Sequence, residues 1–192
     1  MAACAETASF QPTENVVATS HGSQPAASYE IQTSPDESEQ QVKVDVWSEG
    51  AKASNNQTIV EATLSVSNLG DNPVTVDWRK LRLEAYDGKG RPLPQGQLVA
   101  VSNPTNTTVM PKDARDVKVR FALPGDISPD AIGGLRLRWG VLHGEGQEYV
   151  QFTSFQRVPE YYWYGYDSFY NPLWGYYDPL WYGGPVGTVV VR

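Results

Sequence analysis

From residue 41 onward the chain is written in a period of two. Val42, Val44 and Val46 alternate with Lys43, Asp45 and Trp47, and Val60, Ala62, Leu64 and Val66 alternate with Glu61, Thr63, Ser65 and Ser67. Val74, Val76 and Trp78 follow Pro73; then Leu81, Leu83 and Ala85 alternate with Arg82, Glu84 and Tyr86. The pattern returns in Val117, Val119, Phe121 and Leu123, in Leu135, Leu137, Trp139 and Val141, and in Val150 with Phe152. Successive side chains of a strand point to opposite faces, so each run predicts a strand with one apolar and one polar face. A helix would need apolar residues three and four apart. No segment shows such a face, and at most a single turn forms around Pro129-Asp130-Ala131-Ile132.

Turn chemistry separates the runs. Asn68-Leu69-Gly70-Asp71-Asn72-Pro73, Asp87-Gly88-Lys89-Gly90, Pro124-Gly125-Asp126 and His143-Gly144-Glu145-Gly146 supply the positive φ and pre-set dihedrals that reversals need. Six or seven one-sided strands across residues 39–158 predict an all-β, antiparallel two-sheet sandwich. A domain of that size buries about two thirds of its unfolded surface, enough to fold without disulfides or metal. Trp78 and Trp139 are the two candidates for the buried core ring.

The order of these signals resembles a known family. A strand ends in Asn68-Leu69-Gly70, followed by Asn72-Pro73-Val74-Thr75-Val76. Next come the hairpin Leu83-Glu84-Ala85-Tyr86-Asp87-Gly88-Lys89-Gly90 and the Pro-led turn Val109-Met110-Pro111-Lys112-Asp113-Ala114. This layout, over residues 41–158, resembles the small immunoglobulin-like domains of bacterial cell-envelope lipoproteins. The resemblance implies an immunoglobulin-like sandwich and carries no catalytic residue with it. The Cys pair of antibody domains is missing, since Cys4 is the only cysteine.

Met1-Ala2-Ala3-Cys4-Ala5 resembles the end of a bacterial lipoprotein signal, where small residues precede a cysteine that is cleaved and lipidated. Met1 stands where that family usually has Leu. The charged and apolar parts of such a signal would lie upstream of Met1. The resemblance implies a lipid anchor on Cys4, and Ala5 in place of Asp is compatible with the periplasmic face of the outer membrane. Residues 5–38 are rich in Ala, Ser, Thr, Gln and Pro and poor in large apolar side chains. That composition predicts a disordered tether, so residues 1–38 read as anchor and flexible linker.

Residues 159–192 form the third segment, an irregular aromatic tail. Twelve rings fall between residues 161 and 182, in Tyr161-Tyr162-Trp163-Tyr164-Gly165-Tyr166, Phe169-Tyr170, Trp174-Gly175-Tyr176-Tyr177 and Trp181-Tyr182. Two units repeat seven residues apart, Asn171-Pro172-Leu173-Trp174 and Asp178-Pro179-Leu180-Trp181. Asx-Pro opens a type I turn, so the tract reads as successive turns presenting an apolar residue and a ring. Tyr and Trp combine an apolar face with a polar tip and suit interfaces. Three readings stay open: packing on the chain's own sandwich, contact with an envelope partner, or a place in the bilayer interface. The partner reading assigns Tyr162, Trp163, Tyr166, Tyr170, Trp174, Tyr177, Trp181 and Tyr182 to an envelope protein or a glycan. Residues 186–191 read as a short strand able to pair with a sheet edge.

The chemistry inventory is short. A formal charge of −7 speaks against nucleic acid as a partner. His21 sits in the tether and His143 in a turn, with no Gly-x-Ser-x-Gly elbow, so neither nucleophilic catalysis nor a zinc site is expected. No catalytic residue, metal or cofactor is therefore assigned. Asp126 with Asp130, and Asp71 with Asn72, lack a calcium ligand series. Lys118, Arg120, Arg136 and Arg138 would form a basic stripe if their strands shared a sheet, and Trp47 falls on a wet face by parity. The expected function is a non-enzymatic envelope lipoprotein that binds or scaffolds. The alternative is a soluble glycan-binding module whose rings stack on peptidoglycan or polysaccharide.

Overall fold

The computed structural model describes residues 7–18, 24–32, 40–102, 107–143, 147–159 and 189–191. Among these, the strands are β1 (Thr7–Pro12), β2 (Val16–Ala18), β3 (Pro25–Gln32), β4 (Gln40–Ser54), β5 (Gln57–Asn68), β6 (Val74–Val76) and β7 (Arg82–Asp87). They continue as β8 (Gln97–Val101), β9 (Thr108–Val109), β10 (Ala114–Leu123), β11 (Ile132–His143), β12 (Gln147–Val158) and β13 (Val189–Val191). Single 3-10 turns cover Trp78–Lys80 and Pro129–Ala131, and the described residues contain no α-helix.

Every pairing is antiparallel. One sheet runs β8-β10-β5-β4-β3-β2. The other is centred on β11, flanked by β12 on one side and by β6 and β7 on the other, with β9 beyond β6. The two inner faces make one core: Val44, Val46, Leu64, Val66, Val119 and Phe121 against Leu83, Leu135, Leu137, Trp139, Val141 and Phe155, all 2% exposed or less. Burying one such side chain stabilises by about 1.5–3 kcal/mol.

A strand changes sheet at each side of the sandwich. Thr7 and Ala8 of β1 pair with β4, and its residues 9–12 then pair with β12. On the far side the chain runs beside β7, with Pro92 opposite Tyr86 and Gly96 opposite Leu83, before β8 joins β10. Gly50 makes the first crossing possible. It sits at a bulge with φ +103°, and a Cβ there would lie 2.7 Å from the Ala8 carbonyl oxygen.

This corrects the expected tether. Residues 7–18 and 24–32, assigned to a disordered linker within 1–38, instead carry β1, β2 and β3. Composition misled because small side chains suffice where a strand packs close to its neighbours. Ala8, Phe10, Ala26, Ala27 and Tyr29 are all buried. The sandwich therefore begins at Thr7 and not at residue 39.

One parity and one exposure also change. On β12 the core-facing residues are Thr153 and Phe155, while Val150 and Phe152 are half-buried on the other face. Register decides this, because Leu135 and Leu137 of the core sit opposite Phe155 and Thr153, and cross-strand partners share a face. Trp47, expected on a wet face, is 6% exposed, and its indole nitrogen donates to Glu49 Oε1 at 3.0 Å. Trp139 is the core ring, while Trp78 is exposed in its 3-10 turn. Strand β8 was not anticipated.

Three of the four motifs behind the immunoglobulin-like layout meet at one side chain. Asn68 is fully buried, and its amide donates to the carbonyls of Asn72 (2.8 Å) and Val109 (3.1 Å) while its Oδ1 accepts from Gly70 N (3.1 Å). One residue thus ties the polar turn to the strand leading into the Pro111 turn.

Candidate functional site

Cys4 and the rings Tyr162, Trp163, Tyr166, Tyr170, Trp174, Tyr177, Trp181 and Tyr182 lie outside the described residues. The structure does fix where their segment is attached. β12 ends at Val158, and β13 returns to pair with the start of the same strand, Val189 opposite Val150 and Val191 opposite Glu148. The expected edge pairing of the C-terminal strand is thus present over Val189–Val191.

A cleft of about 780 Å³ opens between β3 and β12. It opens because β4 has two partners: β1 takes its second half and goes on to join β12, while β3 takes its first half and does not. Hydroxyls bridge the resulting gap. Tyr29 donates to the Phe152 carbonyl and Tyr149 donates to the Gln32 carbonyl, each at 3.2 Å. Burial pushes both phenols above the ordinary tyrosine value, so they stay protonated donors at neutral pH. Tyr29 stands edge-on to Trp139, with ring centroids 5.3 Å apart and planes at 66°. The Trp139 indole N–H donates to Thr153 Oγ1 at 2.9 Å, which is why a threonine occupies that core position. Val16 (52% exposed) and Val17 (37%) form an apolar rim, with Glu30, Gln32 and Gln151 around it.

Other candidate groups are dispersed. Lys118 and Arg120 lie on β10 in the first sheet, and Arg136 and Arg138 on β11 in the second, so no basic stripe forms. Arg120 pairs with Glu61 at 2.7 Å, and Arg136 lies 4.2 Å over the Phe152 ring. Asp130 faces Arg157 and Asp71 faces Lys112, so each of these carboxylates already has a cation. Asp87-Gly88-Lys89-Gly90 is the expected hairpin. The Asp87 carboxylate accepts from the Lys89 and Arg91 N–H groups at 2.8 and 2.9 Å, and these bonds with the Arg91 guanidinium hold it below the usual carboxylate range. His143 is not in a turn; it ends β11, 7% exposed, with Nε2 unpaired among the described residues, and burial lowers its pKa.

Sequence reasoning missed the cleft because two of its walls come from residues assigned to the tether. The alternation Ala27, Tyr29, Ile31 was the available signal.

No family model matches the chain, and no curated protein matches it. Solved structures do. An uncharacterized β-sandwich protein from Clostridium difficile 630 is 12% identical, covers 64% of this chain and 87% of its own, and has a TM-score of 0.36. The yeast GGA1 GAE domain is 12% identical over 69% of this chain and 98% of that one, with a TM-score of 0.38. Northeast Structural Genomics Consortium target SoR45 is 16% identical over 62% and 84%, with a TM-score of 0.37. Likenesses this distant concern the β-sandwich layout and nothing finer.

Proposed function

We propose that the protein is a non-enzymatic binding or scaffold module of the bacterial cell envelope. A lipid on Cys4 holds it to the membrane, at the periplasmic face of the outer membrane, and its aromatic segment contacts an envelope protein. The observation that carries this reading is the return of β13 to β12. The described strands on either side of the ring-rich tract are paired with each other, and a segment whose two flanks are fixed loses less freedom on binding than a free tail. Twelve rings between residues 161 and 182 are a large excess for an internal plug, and Tyr and Trp are the residues that anchor protein contacts. The Met1-Ala2-Ala3-Cys4-Ala5 motif supports the anchor. The register of β1 supports it further: Ser9 lies opposite Val158, so the chain before β1 and the chain after β12 leave the sandwich at one end.

Two measurements test the reading. Cys4→Ser, in a version carrying its export signal, should release the protein from membranes; unchanged membrane fractionation sinks the anchor. Trp163→Ala with Trp174→Ala should abolish in-cell crosslinking to an envelope protein while the melting temperature stays unchanged. Binding of the purified chain to peptidoglycan, read by Trp fluorescence, with no protein crosslink, would instead establish the glycan reading.

A further inference from the structure

We propose that Arg82 and Arg138, side by side on the outer face of the second sheet, form a binding site for a phosphate group. The two residues sit directly opposite each other across β7 and β11. Both point away from the core, since their neighbours Leu81, Leu83, Leu137 and Trp139 are buried in it. Directly opposite residues of an antiparallel pair have Cβ atoms about 4.5–5.5 Å apart, and like charges placed there repel. The carboxylates around the pair are already taken. Asp77 holds Arg79 at 3.0 Å, and Glu148 holds Lys80 at 3.0 Å. Glu84 lies 3.7 Å from Arg136 and accepts from the Tyr86 hydroxyl at 2.8 Å. Arg82 and Arg138 are left with no acidic partner among the described residues.

The geometry suits a phosphate. Arg82 is held in place: its Nη1 donates to the Arg79 and Leu81 carbonyls at 2.8 and 2.7 Å, which leaves Nε and Nη2 without a partner. Arg138 is half-buried and makes no hydrogen bond. On its other side Phe152 stands directly opposite on β12, with the Arg136 guanidinium over the ring. That flank thins the water on one side of Arg138, where a charge-assisted hydrogen bond gains strength. A planar guanidinium fork meets phosphate oxygens in paired bonds, which a lysine ammonium cannot do. A phosphomonoester carries about −1.5 to −2 charge at pH 7 and three acceptor oxygens, so it offsets two arginines where one carboxylate offsets one. The chain as a whole carries −7, so any hold on an anion comes from this local pair. The stripe expected from Lys118, Arg120, Arg136 and Arg138 is split between sheets; Arg82, on the strand beside β11, supplies the neighbour that Arg138 lacked. The site uses neither Cys4 nor the aromatic tract, so it stands or falls apart from the proposed function.

Thermal melting of the full chain in inorganic phosphate, against chloride at equal ionic strength, tests the site. At about five times its dissociation constant, phosphate should raise the melting temperature by about 2–4 °C more in the parent than in Arg138→Gln. The general salting effect of phosphate acts on both alike and cancels in the difference. In chloride alone Arg138→Gln should melt at or above the parent, since it breaks no bond and relieves the repulsion across the strands. Lys118→Gln removes the same charge from the other sheet and should keep the parent response. Arg138→Lys keeps the charge without the fork and should lose most of it. A parent response no larger than that of Arg138→Gln overturns the site, and so does an equal loss in Lys118→Gln. Vesicles then separate the sources of phosphate. Cosedimentation with phosphatidylglycerol vesicles that needs Arg138, and is absent with phosphatidylcholine, places the phosphate on a lipid. No cosedimentation, with the melting response intact, places it on a soluble compound; both outcomes support the site.

Discussion

Phe10 decides whether the N-terminal segment is a linker or part of the sandwich. It lies on β1, is 5% exposed, and belongs to the core cluster. Phe10→Ala removes most of a buried ring at the point where β1 joins β12, since Phe10 sits opposite Arg157. Replacing a core Phe by Ala costs about 3–5 kcal/mol, against a typical domain stability of about 5–15 kcal/mol. With a urea m-value of about 2 kcal/mol per molar, the unfolding midpoint should fall by roughly 1.5–2.5 M. A residue in a true linker would change stability by no more than about 0.5 kcal/mol, or roughly 0.25 M. Glu14→Ala, at an exposed position just after β1, is the matched control. Urea titrations followed by far-UV circular dichroism and by Trp emission would read both variants. A Phe10→Ala midpoint within roughly 0.25 M of the parent, at unchanged m-value, would refute the placement of β1 in the core.

Two further outcomes follow from single positions. His143 is buried with its charged form disfavoured, so its folded pKa lies below the ordinary value of 6.5. Above that value both folded and unfolded chains hold it neutral, and its contribution is fully present. As pH falls through 6.5 the unfolded chain takes up a proton that the folded chain refuses, and stability drops until the folded pKa is passed. Stability measured from about pH 7.5 down to about pH 5 should fall less steeply in His143→Leu than in the parent; parallel curves would show that the site is open to water. At Gly125 a Cβ would lie 1.8 Å from the Asn56 carbonyl oxygen, so the backbone must move. Gly125→Ala should cost about 1–3 kcal/mol and lower the melting temperature by roughly 3–10 °C. An unchanged melt would mean that the β4–β5 hairpin and the Pro124 turn do not touch.

The central strands were legible because they obey one rule without interference. Val60 to Val66 and Leu135 to Val141 put apolar side chains on every second position, and the core uses those positions. β12 shows where the rule fails. Tyr149-Val150-Gln151-Phe152-Thr153-Ser154-Phe155 contains two interleaved series, and apolarity alone selects the wrong one. The core takes Thr153 because its hydroxyl satisfies Trp139, and leaves Phe152 outside because the Arg136 guanidinium covers it. Neither fact is local to the strand. The first three strands failed for another reason. Ala8, Ala26 and Ala27 add little apolar area each, so an average over residues 5–38 resembles a linker, although the alternation of Ala8 with Phe10 and of Ala27 with Tyr29 was present. The cleft was illegible for the same reason, and the aromatic tract was legible only as composition.

The early start of β1 sets how far this protein can reach. A flexible linker of some 34 residues would let a domain wander about 30 Å from its attachment point. Here Thr7 is already paired to Lys52, three residues beyond Cys4, a span of at most about 11 Å. If Cys4 carries the lipid, the sandwich rests on the headgroups like a stone on a table. Its height is then the length of its own strands, about 40 Å for a 12-residue strand such as β12. On that proposal, a partner of the sandwich body itself would have to lie within that height of the membrane.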